Sequence, residues 1–172
     1  MTEKKMLRSV DALTAISIQS LKLYQELAAK TDKPFSFEQK GLFMVAQSDD
    51  GLKYAKKEME LVSRNGIPGK LMLEDEARAF EPSLTKRIKG GVFFSQEAHA
   101  EPLQVTQTLA HEAQKLGAVI LSKTEVIDFQ LSAKGVTAAR TTRGIFEADQ
   151  FVLATGSWSH HLGQTLELKI PV

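Results

Sequence analysis

The sequence predicts an α+β fold on three observations. Apolar residues recur at helical spacing in three stretches, each closed by proline or glycine. Short continuous apolar runs stand between those stretches. The last third holds three β-like runs separated by hairpin turns, placed between two further apolar runs. Together these describe helices and short strands in the first part of the chain. A helix, a strand, a three-stranded meander and another strand follow.

Taken in order, residues 7–29 read as a long helix, because Leu13, Ile16, Leu23, Tyr24 and Leu27 fall within an arc of about 100°. Lys30-Thr31-Asp32-Lys33-Pro34 ends it. Phe35–Ala46 reads as a strand in which Gly41 marks a bulge or close contact and Leu42-Phe43-Met44-Val45 is buried on both faces. Asp49-Asp50 offers an N-cap to a second helix, whose Leu52, Ala55, Met59 and Val62 share a face and which Gly66 stops before Pro68. Leu71-Met72-Leu73 is a short strand. Glu74–Phe80 is a small acidic helix that ends before Pro82.

After the basic loop Lys86-Arg87-Ile88-Lys89, Gly90-Gly91 opens the strand Val92-Phe93-Phe94. Pro102 suits the first position of a helix over 102–116, with Gly117 as its stop. On that helix Leu103, Val105, Leu109, Ala110, Ala113 and Leu116 form the predicted inward face. Gln104, Gln107, His111, Gln114 and Lys115 form the wet one. Ala118-Val119-Ile120-Leu121 resembles a parallel strand buried by helices. The meander follows as Glu125–Leu131, Val136–Thr141 and Ile145–Ala148, turned by Ala133-Lys134-Gly135 and Thr142-Arg143-Gly144. Phe151-Val152-Leu153 is a short buried strand leading into Ala154-Thr155-Gly156. Those small residues leave the backbone open to a ligand, and Ser157 or Ser159 is placed to cap a following helix.

Composition excludes several chemistries. The 172 residues contain no cysteine, which removes disulfides, thiolate catalysis and cysteine-ligated metal or iron–sulfur sites. With 22 basic and 21 acidic residues the net charge is +1, so no overall field draws nucleic acid or an acidic membrane. No apolar run reaches the roughly 18 residues of a spanning helix, and the amphipathic start is unlike a signal peptide, which suits a cytoplasmic chain. Adjacent His160 and His161 do not face one site and have no third ligand at metal spacing, so no metal is predicted. His111 reads as an exposed residue. His99 reads as a local hydrogen-bonding group, and Glu101 as a carboxylate beside a helix N-terminus. Lys86, Arg87 and Lys89, without interleaved aromatics, read as solvated charge.

Four pieces in this order resemble the FAD-dependent D-amino-acid oxidase and dehydrogenase superfamily, which includes glycine oxidase and sarcosine oxidase. They are Gly90-Gly91-Val92-Phe93-Phe94, His99-Ala100-Glu101-Pro102-Leu103, Thr124-Glu125-Val126, and Leu153-Ala154-Thr155-Gly156-Ser157-Trp158-Ser159. The stretch from Gly41-Leu42-Phe43 to Glu81-Pro82-Ser83-Leu84 is most similar to the D-amino-acid dehydrogenase branch. The resemblance implies an antiparallel substrate-domain sheet with flanking helices, joined to part of an α/β FAD-binding domain. Residues 1–34 would be a lead-in on the FAD side, 35–100 a substrate-domain portion and 101–172 an FAD-domain portion.

For the cofactor it implies that Val126 presents its backbone to the adenine of FAD. Ala154, Thr155 and Gly156 would pass the phosphate and ribose portion, with Trp158 packed behind them. No catalytic residue is implied. The implied reaction is oxidative deamination of a D-amino acid or related amine, with oxygen, a quinone or a partner subunit as the electron acceptor. The parent would be cytoplasmic or peripheral on the inner membrane.

One departure from the family stands out. None of the 11 glycines makes the Gly-x-Gly-x-x-Gly spacing that places a pyrophosphate at a helix N-terminus. An internal fragment is therefore expected, one that needs the remainder of the FAD domain, cannot hold flavin alone and self-associates through exposed apolar surface. The residues by themselves also allow a stand-alone α+β module that binds a small molecule or a protein without redox activity.

Overall fold

The computed structural model describes residues 3–133 and 135–171. They form two compact units, 1–118 and 119–172. The α+β class with antiparallel sheets holds in both.

In the first unit, α1 (Glu3–Lys30) precedes β1 (Leu42–Ala46), α2 (Asp49–Ser63), β2 (Lys70–Leu73), α3 (Glu74–Phe80), β3 (Gly90–Phe94) and α4 (Pro102–Lys115). The three strands pair antiparallel in the order β1-β3-β2. Because alternate residues face opposite sides, one apolar strand set supplies two cores. Val92, Phe94, Met44 and Leu71 pack with Ala55, Met59 and Val62 of α2. Phe43, Val45, Met72 and Phe93 pack on the other face with Ala77, Leu84 and Ile88. This double cover explains why the strands read as unbroken apolar runs.

The predicted strand Phe35–Ala46 is shortened to its last part. Ser36 (φ 52°) and Gly41 (φ 83°) are left-handed and interrupt the extended backbone, leaving only an isolated bridge between Glu38 and His99. Phe35 is a buried core residue in tilted ring contact with Tyr24 and Phe37. The close contact predicted at Gly41 is real, since a Cβ there would lie 2.4 Å from the Phe93 ring. Leu42 is exposed at the sheet edge, so the full two-sided burial predicted for 42–45 is not reached.

Ser48, not Asp49 or Asp50, caps α2, its hydroxyl accepting from the Gly51 N–H at 3.1 Å. Helix α3 has the predicted bounds. On α1 the inward side carries Thr14, Ile18, Leu21, Tyr24 and Leu27, whereas Leu13, Ile16 and Leu23 of the predicted apolar face are exposed.

In the second unit, β4 (Val126–Ser132), β5 (Gly135–Thr141) and β6 (Gly144–Glu147) make the predicted meander. Gly144 takes the positive φ its turn requires; the turn at Ala133-Lys134-Gly135 includes Lys134, which lies outside the described residues. Ala118–Leu121 and Phe151–Leu153 are not strands. No described residue pairs with them, and Val119 and Val152 are 82% and 89% exposed. A parallel strand exists only where a neighbour takes its backbone groups, and apolar composition alone does not supply that neighbour.

Candidate functional site

The residues predicted to face a cofactor all lie in the second unit. Val126 opens β4, half-buried, and pairs with Thr141. The pairing is reinforced just outside the strand, where the Glu125 N–H donates to the Thr142 hydroxyl at 3.1 Å. Ala154, Thr155 and Gly156 follow a segment without regular secondary structure and are exposed. Gly156 has φ +55°, and a Cβ placed on it would meet nothing within 4 Å. The turn therefore has open space over its backbone, as close approach of a ligand demands.

A short 3-10 helix, Gly156–Trp158, leads directly into α5 (Ser159–Gln164). Neither Ser157 nor Ser159 caps this helical segment, contrary to expectation. Ser159 is buried instead, its hydroxyl 3.1 Å from that of Thr155, which fixes the turn to the helix start. Trp158 is 71% exposed, so it is not a core aromatic of this unit. An edge-to-face contact of Phe129 with Phe151, centroids 6.4 Å apart, ties β4 to the segment entering the turn.

Other singled-out residues resolve into structural roles. Glu101 caps α4, accepting from the Gln104 N–H at 2.7 Å. His99 Nε2 lies 3.5 Å from Glu38, beside the bridge those two residues form. His160 hydrogen-bonds Gln164 at 3.0 Å, a contact along one helical turn. Arg78 spans Glu74 and Asp75 at 2.8 and 3.0 Å, so that acidic start is partly neutralised by its own helix.

One group was not legible in the sequence. Asp32, His111 and Glu112 place ligand-type atoms within 4.8 Å of one another. His111 Nε2 is 2.8 Å from Asp32, so His111 is a bonded residue and not a merely exposed one. The Lys115 ammonium stands 3.5 Å from Asp32 and 3.3 Å from Glu112, already supplying the cation, and Thr31 donates to Glu112 at 2.8 Å. The His111 hydrogen bond holds the Asp32 carboxyl below its ordinary range, and the Thr31 bond does the same for Glu112. This set latches α4 to the loop after α1. Only the spacing of His111 and Lys115 hinted at it; nothing in the sequence indicated Asp32.

Two of the open grooves among the described residues of the first unit contain no predicted site residue. One of about 750 Å³ is bounded by α1, the 96–100 segment and α4; the other, of about 670 Å³, runs beside β1.

Comparison with known proteins places this geometry in context. The family model described as FAD dependent oxidoreductase matches residues 3–172. The chain is 29% identical over 149 residues to a D-amino acid dehydrogenase of Vibrio atlanticus, covering 85% of this chain and 36% of that protein. It is 32% identical over 150 residues to a D-amino acid dehydrogenase of Cereibacter sphaeroides, covering 86% and 34%. Among solved structures, glycine oxidase from Geobacillus kaustophilus superposes with a TM-score of 0.82 at 25% identity, covering 90% of this chain and 43% of that one. The chain spans about a third of the length of these curated relatives.

Proposed function

The chain belongs to the FAD-dependent oxidoreductase family, and on that premise we propose that it forms part of an enzyme that oxidatively deaminates D-amino acids or related amines. The observation that carries the reading is its similarity to D-amino acid dehydrogenases over most of its length. In this reading residues 35–100 belong to the substrate domain and 101–172 to the FAD domain, with 1–34 as a lead-in on the FAD side.

The uncovered backbone at 154–156 and the open space over Gly156 fit one side of an extended dinucleotide. Val126 would present its backbone to the adenine, while Ala154, Thr155 and Gly156 border the phosphate and ribose, with Trp158 beside them. Thr155 and Ser159 hold that turn through their hydroxyl contact, so the backbone meets the cofactor already ordered. The pyrophosphate turn itself is not among these 11 glycines, so its contacts fall to the remainder of the FAD domain. The chemistry supplied by bound FAD would be removal of hydride from the amine-bearing carbon, the resulting imine being hydrolysed by water to a keto acid and ammonia. The chain's own residues bind and orient; none is assigned a proton transfer. The electrons would pass to oxygen, a quinone or a partner subunit, in a parent enzyme that is cytoplasmic or peripheral on the inner membrane.

The test is a chimaera in which these residues replace the matching third of a D-amino acid dehydrogenase. A folded chimaera should carry a flavin spectrum that bleaches when a D-amino acid is added without an acceptor. A folded, flavin-loaded chimaera that no D-amino acid or related amine bleaches would refute the reading.

A further inference from the structure

The chain passes twice between its helices and the sheet β1-β3-β2. Residues 31–41 lead out from α1 to β1, and residues 95–101 lead back from β3 to α4. The two passages are bonded to each other. Glu38 and His99 exchange both backbone hydrogen bonds at 2.9 Å, and the Gly41 N–H donates to the Glu97 C=O at 2.9 Å. The Gln39 side-chain amide donates to the Gln96 C=O at 3.0 Å, and the Glu101 N–H to the Phe35 C=O at 3.4 Å.

The outgoing passage is also fastened along α4. Ser36 donates to the Gln104 side chain at 2.9 Å, the Lys33 C=O accepts from Thr108 at 2.9 Å, and Asp32 and Thr31 bond to His111 and Glu112 at 2.8 Å each. From Thr31 to Gly41 the partners therefore run backward from Glu112 to Glu97, forming one antiparallel seam. Buried Phe35 anchors its middle. The register is pinned at Gly41, where a Cβ would lie 2.4 Å from the Phe93 ring and 2.9 Å from the Phe94 C=O. A slip of one residue would drive Lys40 or Leu42 into that space. Every contact of the seam is made inside this chain, and none requires an open surface.

We infer that this seam is a rigid tie, so that the sheet and α4 move as one body and neither passage serves as a hinge. Hinge motion concentrates in a few residues free to change φ and ψ. Here, turning either passage breaks bonds to the other and along α4. The functional consequence rests on the reading of 35–100 as substrate-domain portion and of α4 as the opening of the FAD-domain portion. In that reading the two passages are the junctions between the portions. The tie then fixes the substrate-side sheet against α4 before cofactor or substrate binds, and substrate exchange proceeds without opening at this junction.

Native-state hydrogen exchange of the 172-residue chain, without FAD or substrate, tests the tie separately from that reading. In rising urea below the unfolding transition, the donor amides of Glu38, Gly41 and His99 should exchange through the same opening as the amide of Val92, buried in β3. Their urea dependence should match, with protection within about tenfold. D32N, which loosens the far end of the seam, should speed exchange at the tie and at Val92 by the same factor. Exchange of Glu38, Gly41 and His99 through a local opening that urea does not promote would make the passages a hinge and overturn the inference. So would acceleration by D32N confined to the seam. The urea series uses the unaltered chain, so it stands even if D32N folds poorly. A chimaera that fails to bleach beside an intact tie would refute the functional reading and leave the tie in place.

Discussion

Gly91 lies in the central strand β3, where a Cβ would come within 2.4 Å of the Met44 C=O. Gly91→Ala should therefore lower unfolding stability by about 1–3 kcal/mol in urea titrations, the usual cost of overpacking a tight site. Gly156 makes the opposite case, being left-handed over open space. Gly156→Ala should cost only about 1 kcal/mol, from backbone strain alone. Thr108 is fully buried, and its hydroxyl donates to the Lys33 C=O at 2.9 Å. Thr108→Val should cost about 1–2 kcal/mol, because the carbonyl loses a partner where water has little access. From the sequence Gly41 and Gly156 read as places of close approach, whereas Gly91 reads only as part of a strand's start, and its tight contact with Met44 emerges from the pairing of β1 and β3. Nothing in the sequence marks Thr108, because a polar residue within a helix gives no sign that a carbonyl far away in the chain is waiting for it.

Helix α4 shows how an element can be legible while its orientation is not. Its start at Pro102, its cap at Glu101 and its stop at Gly117 (φ +95°) follow from local chemistry. The apolar arc was expected to point inward, yet Leu103, Leu109 and Leu116 are exposed, the last at 90%. Inward lie Val105 and Thr108, with His111 and Glu112 half-buried beside the loop after α1. Periodicity identifies an apolar face but not which neighbour receives it, and the polar latch to Asp32 settles the matter here.

Because Asp32 and Glu112 have lowered pKa values in the fold, their contribution is fully present above their ordinary values of 3.8 and 4.5. It is lost as pH falls through the lowered values. The melting temperature of Asp32→Asn should thus lie below that of the native chain at pH 7, and the difference should shrink as the pH falls below 3.8. The outward leucines predict a different pair of results. L109K/L116K should change stability by no more than about 0.5 kcal/mol. It should also reduce any self-association seen by sedimentation equilibrium, because the substituted side chains lie on exposed apolar surface.

For the whole molecule, the α+β class, the antiparallel meander and all the helices in order were legible, because turns, caps and periodicity are local. The strand assignments at 118–121 and 151–153 were not borne out, because a strand is a property of a pair. The proposed cofactor side rests on ordered resemblance, with Ala154-Thr155-Gly156 as its clearest piece. Asp32, by contrast, joins His111 only through the fold. No helix among the described residues is long and apolar enough to cross a membrane.

The most direct test of the central claim is titration of the isotope-labelled chain with FAD, followed by amide chemical shifts. The account predicts changes at Val126, Ala154, Thr155 and Gly156 that are lost in Gly156→Val, together with no flavin retained through a desalting column. Changes confined to residues 9–118, or none at all at saturating FAD, would contradict it.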